Sequence, residues 1–153
     1  LLGFSLELGA MLAGVDEAST KALYEFGVDI GIGFQLKDDL LDVYADQEKF
    51  GKQVGGDIIS NKKTFLLLKA LEMANETQSQ KLHQWIEKDD FDAAEKVQAV
   101  TAIYDEIGIK ELTLAKMNEY FAKGFKALEG INVPDERKAG LKTFAQYLID
   151  RDK

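Results

Sequence analysis

Apolar positions recur every three to four residues along nearly the whole chain, the spacing of helices that each bury one face. Sustained two-residue alternation and Asn-Gly hairpin turns, the marks of strands, are nearly absent. The pattern predicts a first helix over 1–13, stopped by Gly14. Asp16 or Ser19 can cap a second helix that runs to about residue 45, roughly 42 Å long. Its upper half is apolar almost all round (Phe26, Val28, Ile30, Ile32, Phe34, Leu36), which predicts a central, buried helix. The stretch 47–61 breaks the pattern with Gly51, Gly55 and Gly56 and reads as a loop of functional size. A third helix is expected over 62–75, with Ser60 as its cap. Thr77 and Gln80 give a capping-box pattern for a short helix carrying Leu82, Trp85 and Ile86. Another begins near Asp92, with Val97, Val100, Ile103, Tyr104 and Ile107 on one face, and Gly108 interrupts it. A sixth carries Leu114, Met117, Phe121, Phe125 and Leu128. After Pro134 a last helix places Leu141, Phe144, Ala145 and Leu148 at helical spacing. No internal repeat or domain boundary is visible. The fold class expected is all-α, one domain over 1–153, built as a bundle around the second helix.

Composition narrows the chemistry. With 46% apolar and 30% charged residues the chain is globular rather than disordered. It has no cysteine, so disulfides, zinc thiolate sites and cysteine nucleophiles are excluded. The one histidine, His83, excludes multi-histidine metal sites and reads as a surface residue. A net charge of −8 disfavours nucleic acid as a partner. No apolar run reaches membrane-spanning length, and no signal-peptide pattern opens the chain, so a cytoplasmic location is the expectation. The chain starts Leu1-Leu2-Gly3 inside an apolar pattern and without methionine, which reads as a fragment. Met11, Met73 and Met117 read as core filler, Trp85 as packing. Asp89-Asp90-Phe91-Asp92 reads as a solvated turn and helix cap.

The informative stretch is 31–64. Gln35, Asp38, Asp39, Asp42 and Asp46 recur at helical spacing, which gathers carboxylates on one face of a helix whose other faces are apolar. Like charges at that spacing repel, and only Lys37 lies among them. A bound hard cation is the natural compensator, and oxygen-only donors select magnesium or calcium. Downstream come Lys52, Asp57, Lys62 and Lys63. If Ser60 caps the third helix, both of the last two lysines fall in its first turn, where cations oppose the helix dipole unless an anion such as phosphate binds there. A P-loop is excluded, because GxxxxGK[ST] is absent. Acidic face and lysines together suggest a metal-bridged polyphosphate.

The segment Gly31-Ile-Gly-Phe-Gln35-Leu-Lys-Asp38-Asp39-Leu-Leu-Asp42 has the form GxxxQxxDDxxD. It resembles the second aspartate-rich motif of the trans-isoprenyl diphosphate synthases, the polyprenyl synthetase family of farnesyl and geranylgeranyl diphosphate synthases. Gly51-Lys52, Gly56-Asp57 and Asn61-Lys62-Lys63-Thr64 resemble that family's downstream loop. Gly9-Ala-Met-Leu-Ala-Gly14 resembles the helix before the motif, and Tyr147–Lys153 the basic C-terminal end. The resemblance covers essentially the whole chain. It implies the C-terminal portion of an isoprenoid synthase-type helical bundle, and a prenyltransferase that condenses isopentenyl diphosphate with an allylic diphosphate.

The resemblance also implies roles. Asp38 would bind magnesium directly, and Asp39 and Asp42 directly or through metal-bound water. Lys52 and Lys62 would hold the allylic diphosphate. Phe34 and Gln35 would line the prenyl pocket, with Gln35 near the developing allylic cation. Asp57 would order the loop and its lysines. Arg151 and Lys153 would help close the site over the homoallylic diphosphate. The family's upstream aspartate-rich motif has no counterpart in this chain, so the expectation is half a metal site, no turnover by the chain alone, and a homodimer only at full length. Two readings compete with an enzyme of this kind. One is a non-catalytic helical partner of a prenyl diphosphate synthase. The other is a terpene cyclase of the same fold, disfavoured by the lysines at 52 and 62; a helical calcium-binding protein is disfavoured further, because no EF-hand loop is present.

Overall fold

The computed structural model describes residues 1–45 and 54–150. Among them are eight helices and no strand: α1 (Leu2–Leu12), α2 (Glu17–Tyr44), α3 (Gly56–Ile59), α4 (Phe65–Met73), α5 (Glu76–Glu87), α6 (Ala93–Ile107), α7 (Ile109–Glu129) and α8 (Asp135–Asp150). The chain divides into two compact units. Of the described residues, the first holds 1–37 and 115–150, the second 38–45 and 54–114.

In the first unit α1 meets α2 where two glycines touch. A Cβ on Gly27 would lie 2.7 Å from the Gly3 backbone, so neither position tolerates a side chain. Phe26 and Ile30 of α2 are both 2% exposed. Phe26 packs on Phe125 of α7 with ring centroids 6.5 Å apart, and Ile30 fills the space over Gly124. Lys138 is buried at the start of α8, where its ammonium donates to the Ile131 carbonyl at 3.2 Å and closes the α7–α8 turn. Lys37 donates to the Ile149 carbonyl.

The second unit buries Leu40 and Val43 of α2, Ile58, Leu66, Leu67, Leu82, Val100, Ile103, Tyr104 and Ile109. Helix α6 packs against α3, α4 and α5.

Local chemistry sets most of the helix ends. Asp16, not Ser19, is the acceptor at the start of α2, taking the Ser19 N–H at 2.9 Å. Asp92 accepts from Glu95 N–H at 2.9 Å and starts α6, while Gly108 ends it at φ 78°. Three expectations move. The capping box of α5 is Asn75 with Gln78, two residues before the Thr77–Gln80 pattern; both pairs fit the signature, and Asn75 has the extended backbone a cap requires. Within the expected loop 47–61 the structure places one helical turn, α3. The following helix begins at Phe65 rather than near Lys62. Thr64 caps it by accepting the Leu67 N–H at 3.3 Å, and the Ser60 hydroxyl turns back to the Gly56 carbonyl. Two further expectations fail on burial: Met11 and Met73 are exposed, only Met117 being core, and Ile32 is exposed on an otherwise covered stretch of α2.

Candidate diphosphate and metal site

Three stretches of the second unit build a cluster of opposite charges. The last turns of α2 supply Asp38, Asp39 and Asp42; α3 supplies Asp57; the turn after it supplies Lys62. What brings them together is local. The Asp42 carbonyl accepts the Gly55 N–H at 2.6 Å, and the Asp42 carboxylate accepts the Asp57 N–H at 2.8 Å. Asp42 thus seats the start of α3 against the end of α2. Gly55 permits this approach: it adopts φ 86°, and a Cβ there would lie 2.5 Å from Val97 of α6. Gly56 continues the close fit, with the Asp42 carboxylate 3.3 Å from where its Cβ would be.

Lys62 bridges the cluster. Its ammonium is 2.9 Å from the Asp57 carboxylate and 3.7 Å from that of Asp39. The hydrogen bond to Asp57 holds the ammonium above the usual lysine range. Asp39 is buried at the foot of the cluster. Burial pushes the Asp42 carboxyl above the usual carboxylate range; the Asp57 N–H and the Lys62 charge pull it down, and the charges of Asp57 and Asp39 push it up. Asp38 is half-buried and takes part in none of these contacts among the described residues. Lys62 and Lys63 precede α4 instead of lying in its first turn, so the dipole argument for an anion at that helix start has no basis. Lys62 matters through its place beside the carboxylates.

The remaining candidates divide. Phe34 and Gln35 lie earlier on α2, in the first unit, Phe34 half-buried and Gln35 exposed. Lys52, Asp46, Arg151 and Lys153 lie outside the described residues. His83 is exposed, with Nδ1 2.8 Å from the Ser79 carbonyl. Sequence reasoning gave Asn61 no role beyond the motif it stands in and passed over Lys96; the two hold the turn from behind.

Among the described residues no three acidic or histidine side chains converge on one cation position, so Asp38, Asp39 and Asp42 do not form a closed cage. Their chemistry still fits magnesium. The donors are all oxygens, burial holds one of them (Asp42) above the usual carboxylate range, which a bound cation would offset, and magnesium is commonly held by one or two carboxylates plus substrate phosphate.

The fold and the site define an all-α chain whose aspartate-rich helix end stands beside a lysine turn. The particular family follows from comparison. The polyprenyl synthetase family model matches residues 1–104. The geranylgeranyl pyrophosphate synthase of Geoglobus acetivorans is 35% identical over 152 residues, covering 99% of this chain and 45% of that protein. A crystal structure of a geranylgeranyl pyrophosphate synthase superposes with a TM-score of 0.86 at 36% identity, over 99% of this chain and 47% of the other. The Corynebacterium glutamicum geranylgeranyl pyrophosphate synthase, solved with isoprenyl diphosphate and magnesium, gives a TM-score of 0.81 at 32% identity over 94% of this chain and 41% of the other. The chain belongs to the polyprenyl synthetase family. It spans about half the length of the curated relatives it matches. Among the described residues no helix is long and apolar enough to cross a membrane.

Proposed function

We propose that the protein takes part in isoprenoid chain elongation as a polyprenyl diphosphate synthase, condensing isopentenyl diphosphate with an allylic diphosphate. The observation behind this reading is the placement of Lys62 between Asp57 and Asp39 at the end of the aspartate-rich helix. An exposed lysine pair of this kind is worth only about 0–1 kcal/mol to the fold. Its natural use is to present a cation at a carboxylate-rich edge.

In the proposed reaction the allylic C–O bond breaks and the diphosphate leaves with the electron pair. The C=C bond of isopentenyl diphosphate then attacks the allylic cation, and a proton is lost to the departed diphosphate. Lys62, with Lys52, binds the leaving diphosphate and offsets the charge that develops on it. Asp57 holds Lys62 at the cluster. Asp38, Asp39 and Asp42 would hold magnesium, which when bound supplies further charge neutralisation to the diphosphate. The roles assigned to Phe34 and Gln35 (lining the prenyl chain) and to Arg151 and Lys153 (closing over the second diphosphate) rest on the motif resemblance.

The proposal extends to assembly. The chain supplies one part of a single helical synthase domain, its C-terminal part, and works with the segment that accounts for the rest of its relatives' length. The complete protein acts in the cytoplasm as a homodimer. The test is incorporation of labelled isopentenyl diphosphate into an acid-labile prenyl product. The chain is assayed with magnesium and dimethylallyl, geranyl or farnesyl diphosphate, alone and with the complementary segment of a relative. Product that disappears on chelation supports the reading. Diphosphate binding without product in every combination would support a non-catalytic partner instead.

A further inference from the structure

Among the described residues of the second unit, Lys96 is the strongly buried cation that the site above leaves unexplained. It is 1% exposed on α6. Its ammonium donates to Asn61 Oδ1 at 2.7 Å and to the Ile59 carbonyl at 3.4 Å, and it lies 4.2 Å from the centroid of the Phe91 ring. Among the described residues no carboxylate pairs with it. A buried ammonium without a counter-anion is costly, and an apolar side chain of the same length would fill the space without that cost. What the charge obtains is a grip on Asn61.

Asn61 is itself unusual. It is the one described non-glycine residue at positive φ, at 52°. Asparagine tolerates that backbone better than most residues. Its carboxamide is held at both ends: the oxygen accepts from Lys96, and the nitrogen donates to the Ile86 carbonyl at the end of α5, at 3.0 Å. The next residue is Lys62, whose backbone N–H donates to the Asp57 carbonyl at 2.9 Å. The turn between α3 and α4 is therefore fastened from two helices at the position adjoining the exposed lysine.

We propose that Lys96 and Asn61 are positioning residues for diphosphate binding, the Lys96–Asn61–Ile86 hydrogen-bond chain fixing the turn that holds Lys62 beside Asp57 and Asp39. The proposal rests on the reading of Lys62 as a diphosphate-binding group. Lysine has a long, freely rotating side chain, so a fixed attachment point removes part of the ordering cost of every contact it makes with an anion.

The test is calorimetric titration of the chain with inorganic diphosphate in the presence of magnesium, for wild type, Lys62→Gln, Lys96→Met, Asn61→Gly and Asn61→Asp. Lys62→Gln should weaken binding. Lys96→Met and Asn61→Gly should weaken it by about tenfold, the scale of a lost hydrogen bond to a charged group. Asn61→Asp keeps the acceptor for Lys96 but loses the donor to the Ile86 carbonyl, so its affinity should fall between those of wild type and Asn61→Gly. Lys96→Met should do this without lowering the thermal midpoint in proportion, because it removes a buried charge, and should speed amide hydrogen exchange at Lys62. Should Lys96→Met fail to fold, the Asn61→Gly and Asn61→Asp pair decides. Wild-type affinity in Lys96→Met and Asn61→Gly, with Lys62→Gln weakened, overturns the positioning role and leaves the proposed function standing. Unchanged affinity in Lys62→Gln, or no binding by the wild-type chain, overturns the reading of Lys62 and the positioning role with it. Affinity that merely follows loss of stability across the set also overturns it.

Discussion

The Lys62 ammonium lies 2.9 Å from the Asp57 carboxylate, five residues before it in the chain, across the turn that follows α3. The contact does little for stability, since the lysine side chain is 52% exposed. It fixes where a mobile cation waits. Replacing Lys62 with Gln in a catalytically competent protein should raise KM for the allylic diphosphate or lower kcat, by roughly tenfold to a hundredfold, the range for a lost charged hydrogen bond. Asp57→Asn should have a smaller effect in the same direction, because it loosens the lysine without removing it. Steady-state kinetics with both substrates varied would check this. Wild-type constants for Lys62→Gln would remove the residue from the site.

Asp38 makes the opposite use of the same helix end: it stays outside the Asp57–Lys62 network. If it is a direct magnesium ligand, Asp38→Ala should cost several kcal/mol of charge stabilisation, about a hundredfold or more in kcat. The deficit should persist at saturating magnesium. Near-wild-type turnover would show that the metal sits elsewhere.

The helices were legible because each carries its own local instructions. Asp92 and Gly108 bound α6 by side-chain capping and a left-handed residue, both visible in one sequence. The aspartate-rich motif was legible because helical spacing fixes which carboxylates share a face. The turn behind Lys62 was not. Two residue types, Ser60 and Thr64, were both competent caps, and tertiary seating of α3 on Asp42 decided for Thr64. Lys96 gave no signal at all, being one of 19 basic residues until packing against Asn61 and Phe91 set it apart. The burial of Phe26 and Ile30 was legible in the all-round apolar pattern, but their partners Phe125 and Gly124, more than about ninety residues on, were not.

Gly55 should be the least replaceable glycine of the second unit. Gly55→Ala must hold a Cβ at φ 86° and 2.5 Å from Val97 Cγ2. Left-handed backbone and overpacking each cost on the order of 1–2 kcal/mol, so a loss above about 2 kcal/mol is expected. Gly9, in α1 with no atom within 4 Å of its Cβ position, is the control. Gly9→Ala should gain up to about 1 kcal/mol from helix propensity. Urea denaturation of both variants measures the difference. Equal midpoints would mean that the Gly55 turn relaxes freely.

Glu119 on α7 is clamped between Lys116 at 2.8 Å and Lys123 at 2.6 Å, which hold its carboxyl down to about 2. An acid with a depressed folded pKa stabilises the fold above its unfolded pKa, here about 4.3, and loses that contribution as pH falls toward the folded value. Stability should therefore decline between about pH 4.5 and pH 2 partly through this group. Glu119→Gln should flatten that part of the profile by lowering stability modestly at neutral pH, where the charged pair contributes, and leave stability near pH 2 nearly unchanged. The pair is solvent-exposed, so high salt should shrink the difference. A wild-type slope in Glu119→Gln would assign the acid transition to other carboxylates.

Helix α1 presents an apolar face that nothing in the first unit covers. Phe4 is 59% exposed and Leu12 81%, with Leu1, Leu8 and Met11 exposed beside them. Phe26 and Ile30 of α2 are buried and take no part in this face. A run of large apolar side chains on one helix is the kind of patch that drives association. In gel filtration with light scattering the purified chain should run heavier than its 17.0 kDa monomer mass. Phe4→Ser with Leu12→Ser should shift it toward the monomer without loss of helical signal, because neither side chain contributes to the core. Adding the complementary segment of a relative should compete with self-association if both cover the same face. A wild-type chain that stays at monomer mass over a concentration series would show that α1 needs no cover, and would count against the proposal that another segment of a synthase packs on it.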